Sequence, residues 1–136
     1  SKPDVVNEEM IKSMADKPIV FAMANPVPEI MPDKAKNAGA FIVGTGRSDF
    51  PNQINNVVAF PGVFKGALSV RASDINEEMK LAAAYAIANS VSEDKLNCDN
   101  ILPDPFDKSV SKAVARAVAE AAVKSDIAVI KEFDIR

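Results

Sequence analysis

The sequence predicts an α/β domain in which helices flank an open, parallel β-sheet and a helical C-terminal part follows. Two short apolar runs, residues 18–24 and 40–43, have the length and composition of strands buried in a sheet. A segment with helical spacing precedes each run, and strands that alternate with helices are typical of parallel sheets. After residue 55 the apolar residues recur at helical spacing.

The first predicted helix lies within residues 3–14, where apolar residues recur at helical spacing. Either Asp4 or Asn7 can cap its N-terminus, because both side chains accept hydrogen bonds from backbone N–H groups. The run PIVFAMA, residues 18–24, follows as the first strand. Since the run is apolar throughout, we expect this strand to be covered on both faces.

Asn25 comes directly after the first strand and before Pro26, which disfavours the helical conformation at Asn25. Asn25 should therefore lie at the carboxyl end of that strand. A weak helix from Asp33 to Ala38, ended by Gly39, leads to the second strand, Ala40 to Val43. Ligands of open parallel sheets bind at the carboxyl ends of the strands, so Asn25 falls on the edge where a ligand is expected.

Two glycines open the loop of residues 44–50, which falls on the same edge. Gly44 and Gly46 do not form a dinucleotide-binding fingerprint, because the segment lacks a third small residue and a following helix, and Asp49 would repel a pyrophosphate. A tight turn that uses the torsional freedom of glycine is the favoured interpretation. Arg47 can pair with an anionic ligand or with Asp49, and the local pair is the commoner outcome.

The remainder of the chain is predicted to be helical. Residues 55–68 should form a helix that is kinked at Pro61 and Gly62, and residues 75–91 a second one with Asp74 as its cap. After a surface loop at residues 92–105, a third helix should occupy residues 107–124. Its small residues suggest close packing against a sheet, along a stripe formed by Val110, Val114, Val118 and Ala121.

Paired asparagines, Asn55 and Asn56, stand at the start of this helical part, where asparagine has poor helix propensity. One of them can serve as an N-cap, while the other needs a neighbouring turn or a ligand as its partner. Asn25 has the same two interpretations, a local turn or a ligand contact. A carboxamide can donate to a substrate carboxylate without adding charge. Lys65 is most simply a solvated helix charge.

Composition narrows the possible functions. A net charge of −3 and a pI near 5.0 argue against nucleic acid as a partner, and no apolar run approaches the length of a membrane span. The single cysteine, Cys98, favours a reducing, cytoplasmic location. The chain contains no histidine, so it offers no imidazole as a base or metal ligand, and adjacent glutamates do not make a metal site.

Three segments together resemble the C-terminal part of the NAD(P)-binding domain of bacterial-type malic enzymes. They are PIVFAMANPVPEI, AFIVGTGRSDFPNQINNVVAFPGVFKGAL and INEEMKLAAAYAIA, and the resemblance covers nearly the whole chain. It implies a Rossmann-type sheet, NAD or NADP as cofactor, Mg²⁺ or Mn²⁺, and conversion of malate to pyruvate and carbon dioxide. By motif, Asn25 matches an asparagine near malate and the nicotinamide, and Asn55 and Asn56 match a pair that holds substrate and cofactor.

The resemblance also implies that residues 1–136 form an incomplete domain. The family's catalytic tyrosine and lysine, its metal ligands and its phosphate loop are expected N-terminal to residue 1, and Tyr85 does not replace that tyrosine. We therefore expect no catalytic or metal-binding residue here and no activity from the chain alone. The remainder of the enzyme and further copies of the chain are the expected partners. The alternative is a free-standing, non-catalytic α/β module that binds a nucleotide or another protein.

Overall fold

The computed structural model describes residues 2–135, which divide into two compact units. The first unit extends to Ile54 and also includes Asp94–Ile101. The second unit comprises Asn55–Glu93 and the chain from Leu102 onward. The parallel sheet belongs to the first unit and the long helices to the second.

The first unit alternates helices and strands, as the sequence predicts. Its elements are α1 (Glu8–Lys12), β1 (Ile19–Ala22), α2 (Pro32–Asn37) and β2 (Ile42–Thr45). The strands β1 and β2 pair in parallel, in a register that runs from Ile19 opposite Ile42 to Ala22 opposite Thr45. The predicted α/β class with a parallel sheet is confirmed.

Local capping explains where the helices of the first unit begin and end. Of the two candidate caps for α1, Asn7 is the one used, because its side chain accepts a hydrogen bond from the Met10 N–H at 2.9 Å. The helix α2 begins with a proline, whose missing N–H costs nothing in a first turn. Gly39 follows with a φ of +108°, a backbone conformation that favours glycine, and this ends α2 as predicted.

Within residues 2–135, only one face of the strand β1 is covered, so the expectation of two covered faces stays a prediction. Ala22 is buried, whereas Ile19 and Phe21 are 53% and 50% exposed. The reason is that residues of both helices pack on the same face of the sheet. The cluster on that face consists of Ile11, Ala22, Ile30, Ala35, Ala38, Ala40 and Val43.

The second strand lies two residues later than predicted, at Ile42–Thr45, so Gly44 belongs to the sheet. Gly44 pairs with Phe21. A Cβ atom at Gly44 would lie 3.0 Å from side-chain atoms of both Phe21 and Ile54. Any larger residue here would require these neighbours to shift by a few tenths of an ångström, so Gly44 fits closely into the packing of the sheet, and the predicted turn at Gly44 is wrong.

The second unit consists of a 3₁₀-helix, Asn56–Val58, and three α-helices: α3 (Phe60–Ser69), α4 (Glu77–Ala88) and α5 (Lys108–Lys124). The predicted single helix with a kink at Pro61 and Gly62 is instead two helices that meet at Ala59. Pro61 lies in the first turn of α3, where a proline is tolerated. None of the helices within residues 2–135 is long and apolar enough to cross a membrane.

The cap of α4 is Asn76 and not Asp74. The Asn76 side chain accepts a hydrogen bond from the Met79 N–H at 3.0 Å, whereas the Asp74 carboxylate accepts one from the neighbouring Ile75 N–H at 2.7 Å. The prediction placed the helix start two residues too early, because Ile75 fits the apolar pattern although it lies outside the helix. Asp107 caps α5, and the hydrogen bonds that it accepts from Ser109 lower the pKa of Asp107.

The helix α5 packs against α3 and α4, so the predicted packing against a sheet is wrong. Its stripe of small residues lets the helices approach closely, and Gly62 and Gly66 of α3 face it. Ala122 takes the buried position predicted for Ala121, which is half-buried. The buried residues of α5 are Val110, Val114, Ala115, Val118, Ala119 and Ala122. The predicted surface loop, residues 92–105, is exposed or half-buried throughout.

Candidate functional site

The carboxyl ends of β1 and β2 lie side by side in the first unit. The last residues of the two strands, Ala22 and Thr45, are partners in the sheet. Asn25 follows β1 after two residues, and the loop of residues 46–50 follows β2. The predicted ligand edge of the sheet therefore carries the chemical groups of these two segments.

Asn25 is exposed, and its side chain lies against the backbone of Gly46. A Cβ atom at Gly46 would come within 3.0 Å of the Asn25 amide nitrogen and 3.3 Å of its carbonyl oxygen. Gly46 does not have a positive φ, so the prediction that this glycine supplies torsional freedom is wrong. Its missing side chain instead leaves room for the Asn25 carboxamide. The peptide bond between Asn25 and Pro26 is cis.

Arg47 forms the predicted local ion pair with Asp49. Its Nε donates to Asp49 Oδ1 at 2.8 Å, and its Nη2 donates to Asp49 Oδ2 at 2.6 Å. The guanidinium also lies over the Phe50 ring, with Cζ 5.3 Å from the ring centroid. These hydrogen bonds raise the pKa of Arg47 and lower the pKa of Asp49, so both groups are charged around neutral pH.

Asn52, which the sequence interpretation missed, is a buried polar anchor of this loop. It is 6% exposed, and its Nδ2 donates to the backbone oxygens of Val43 at 3.0 Å and Cys98 at 2.8 Å. Its Oδ1 accepts a hydrogen bond from the Ile101 N–H at 2.9 Å. Asn52 therefore ties β2 to the segment Asp94–Ile101. The signal in the sequence was an asparagine in a loop, a residue that tolerates the φ of +54° found here.

Replacing Asn52 with alanine is expected to destabilise this part of the first unit by about 2 kcal/mol, because three backbone groups lose their partner. The substitution Asn52→Asp should cost at least as much, since a carboxylate cannot donate to the Val43 and Cys98 oxygens. Amide hydrogen exchange of Ile101 measures the effect, and about 2 kcal/mol corresponds to roughly thirtyfold faster exchange.

The control for the backbone conformation is Asn52→Gly, which removes the side chain but relieves the positive φ. It should therefore be less damaging than Asn52→Ala. If the Ile101 amide exchanged equally fast in Asn52→Asp and in the parent chain, the two donated hydrogen bonds would contribute nothing to stability.

Asn55 and Asn56 are the first residues of the second unit, and their side chains differ in burial and in hydrogen bonding. Asn55 is half-buried and caps the 3₁₀-helix, with its Oδ1 accepting from the Val57 N–H at 3.1 Å, as predicted for one member of the pair. Asn56 is exposed, and within residues 2–135 its carboxamide makes no hydrogen bond. The local fold therefore accounts for one asparagine and leaves the other available to a ligand. Lys65 is exposed on α3.

A buried hydroxyl lies at the end of β2. Thr45 is fully buried, and among the described residues its Oγ1 is the buried side-chain polar atom that lacks a hydrogen-bond partner. Leaving such a group unpaired costs about 1–3 kcal/mol, so the fold alone does not explain a threonine here. Within residues 2–135, no group of three or more Cys, Asp or Glu side chains could hold a metal ion.

The chain matches a known protein family over most of its length. The profile described as "Malic enzyme, NAD binding domain" matches residues 1–123. A bifunctional malic/malolactic enzyme of Bacillus subtilis is 64% identical over 123 residues, which are 90% of this chain and 30% of that protein. An NAD-dependent malic enzyme of Geobacillus stearothermophilus is 55% identical over 128 residues, or 94% of this chain and 27% of that protein. The chain thus spans less than a third of these relatives.

Solved structures of malic enzymes are also similar to this chain. The malic enzyme of Pyrococcus horikoshii superposes with a TM-score of 0.91 at 51% identity, covering 97% of this chain and 30% of that one. The malic enzyme of Entamoeba histolytica gives a TM-score of 0.92 at 49% identity, covering 97% and 27% of the two chains. The Rossmann-type fold expected from the sequence is therefore confirmed.

Proposed function

Because this chain belongs to the malic enzyme NAD-binding domain family, we propose that it is part of a longer enzyme that oxidises and decarboxylates malate. The products are pyruvate, carbon dioxide and NADH or NADPH. The observation that carries the proposal is the 64% identity over 123 residues to a malic/malolactic enzyme. In this proposal residues 1–136 are the C-terminal portion of the NAD(P)-binding domain, and the enzyme works in the cytoplasm.

The groups at the sheet edge suit the neutral end of a nicotinamide cofactor better than its pyrophosphate. A pyrophosphate site needs a helix N-terminus directly after the glycine turn, but the next helical residue after Gly46 is Asn56. The edge offers instead the Asn25 carboxamide, which can donate to and accept from an amide or a ribose hydroxyl. The metal ion, Mg²⁺ or Mn²⁺, is held in this proposal by residues outside the chain.

Asn25, Asn55 and Asn56 are the proposed substrate- and cofactor-binding residues. Asn55 uses its carbonyl oxygen as a helix cap, which fixes the carboxamide and leaves its NH₂ group as a donor. Asn56 is exposed at the start of the 3₁₀-helix, where its carboxamide is accessible to a ligand. Neutral donors of this kind bind carboxylates through charge-assisted hydrogen bonds.

Several exposed apolar side chains favour the proposal that other protein surfaces cover this chain. Ile19 and Phe21 on the outer face of β1, and Phe60, Phe64 and Leu68 along one side of α3, are each at least half exposed. Apolar patches of this kind usually mark surfaces that another part of a protein covers. We propose the remainder of the enzyme and a further copy of the chain as the parts that cover them.

Substitutions of Asn56 in the full-length enzyme test the proposal. We expect Asn56→Asp to raise the KM for malate more than Asn56→Ser, because a carboxylate repels the malate dianion whereas serine only shortens the donor. The loss of one charge-assisted hydrogen bond corresponds to roughly a tenfold to hundredfold rise. Steady-state kinetics at saturating cofactor and metal measure it. Equal KM values for the two variants would exclude a substrate contact, and an unmodified enzyme that does not oxidise malate would refute the proposed function.

A further inference from the structure

Arg47 is the basic residue of the ligand edge. The two segments that follow the strands, residues 23–26 and 46–50, contain no other lysine or arginine. Its guanidinium is held in one orientation by two hydrogen bonds to Asp49 and by the Phe50 ring beneath it. Such a preoriented guanidinium loses little side-chain entropy when it binds a ligand.

Asp49 occupies only part of the Arg47 guanidinium. A guanidinium has five N–H donors, and Asp49 accepts from Nε and Nη2. The donors on Nη1 have no partner within residues 2–135, and the side chain is 34% exposed. The remaining edge of the guanidinium is therefore free to receive a second carboxylate.

Resting on the proposed function, we propose that Arg47 recognises a carboxylate of malate through its free Nη1 edge and that Asp49, bound to Nε and Nη2, weakens this recognition by offsetting part of the positive charge. The asparagines of the proposed site are neutral and do not compensate the charge of a dianion, whereas Arg47 does. Asp49 keeps the guanidinium in position but cancels much of its charge. Together, Arg47 and Asp49 therefore give the site a moderate affinity for the anionic substrate.

Opposite charge changes in the full-length enzyme test this inference. Arg47→Gln should raise the KM for malate roughly tenfold to a hundredfold, because a charge-assisted hydrogen bond is lost. Asp49→Asn should lower the same KM about threefold, the order expected when one negative charge about 6 Å from the substrate is removed. The KM for the nicotinamide cofactor should stay unchanged in both variants, because the proposed contact is with malate.

A purely structural pair would behave differently. If Arg47 and Asp49 only brace the loop, both variants should move the KM for malate in the same direction, and this result would overturn the inference. A rise in the cofactor KM with an unchanged malate KM would also overturn it. Lys36→Gln is the matched control, because it removes the cation of another ion pair in the first unit, Lys36–Asp99, and should leave both constants unchanged.

Stability and basal turnover separate the remaining outcomes. Exposed ion pairs contribute little to stability, so the Tm of both variants should equal that of the parent enzyme within about 1 °C. A Tm that falls together in both variants would assign the pair to loop stability and overturn the inference. If the unmodified enzyme oxidises malate but the KM values of the two variants shift together, the inference fails alone. If it does not oxidise malate, the proposed function fails as well.

Discussion

The isolated 136-residue chain is expected to produce no NADH or NADPH from malate, even with Mg²⁺ or Mn²⁺ present. Oxidation of the substrate hydroxyl needs a base, and decarboxylation needs an electrophile that stabilises the enolate. The chain has no histidine, and the described residues hold no cluster that could bind the metal. Loss of these groups typically removes several powers of ten in rate, so turnover should be indistinguishable from the blank.

The absorbance of the reduced cofactor measures this result, with full-length enzyme at equal concentration as the positive control. Trace enzyme from the expression host could imitate turnover. The Asn56→Asp form of the same chain, purified in parallel and in several independent preparations, controls for it, because a host enzyme does not carry the substitution and its activity would not depend on it. Malate-dependent turnover that exceeds the blank and falls in the Asn56→Asp chain would show that these residues carry the chemistry themselves.

Local chemistry made the elements of this fold predictable. Asn7, one of the two predicted caps, lies directly before α1, and Gly39 ends α2 as predicted, so short-range hydrogen bonds and torsional preferences fix these boundaries. The Arg47–Asp49 pair followed from two opposite charges separated by one residue. These features need no knowledge of distant parts of the chain.

Features that depend on distant contacts were not predictable. The pairing of Asn52 with Cys98 and Ile101 joins segments almost fifty positions apart, which no local pattern encodes. Likewise, the alanine- and valine-rich face of α5 suits a sheet and a helix equally well. What decides between them is the pair Gly62 and Gly66 on α3, which lets that helix reach α5. No pattern in the sequence indicated that α3 and α5 pack against each other.

The sharpest consequence of this helix contact is that Gly66→Ala should destabilise the second unit by about 3 kcal/mol. A Cβ atom at Gly66 would lie 2.4 Å from the Ala115 backbone oxygen and 2.9 Å from the Val118 Cβ. Neither atom is the end of a flexible side chain, so α3 and α5 must move apart. Alanine favours the helix by about 1 kcal/mol over glycine. Overpacking usually costs about 1–3 kcal/mol, and against this rigid backbone we expect about 4 kcal/mol, which leaves a net loss of about 3 kcal/mol.

Urea unfolding followed by helical circular dichroism measures the loss, and Leu68→Ala is the matched control on the same helix. Leu68 is 75% exposed, so removing its side chain should change stability by less than about 0.5 kcal/mol. Adding Val118→Ala to Gly66→Ala should restore stability only in part, because trimming that side chain leaves the Ala115 carbonyl in place. If Gly66→Ala were instead as stable as the parent chain, helix propensity would outweigh packing, and α3 and α5 could not be as close as described.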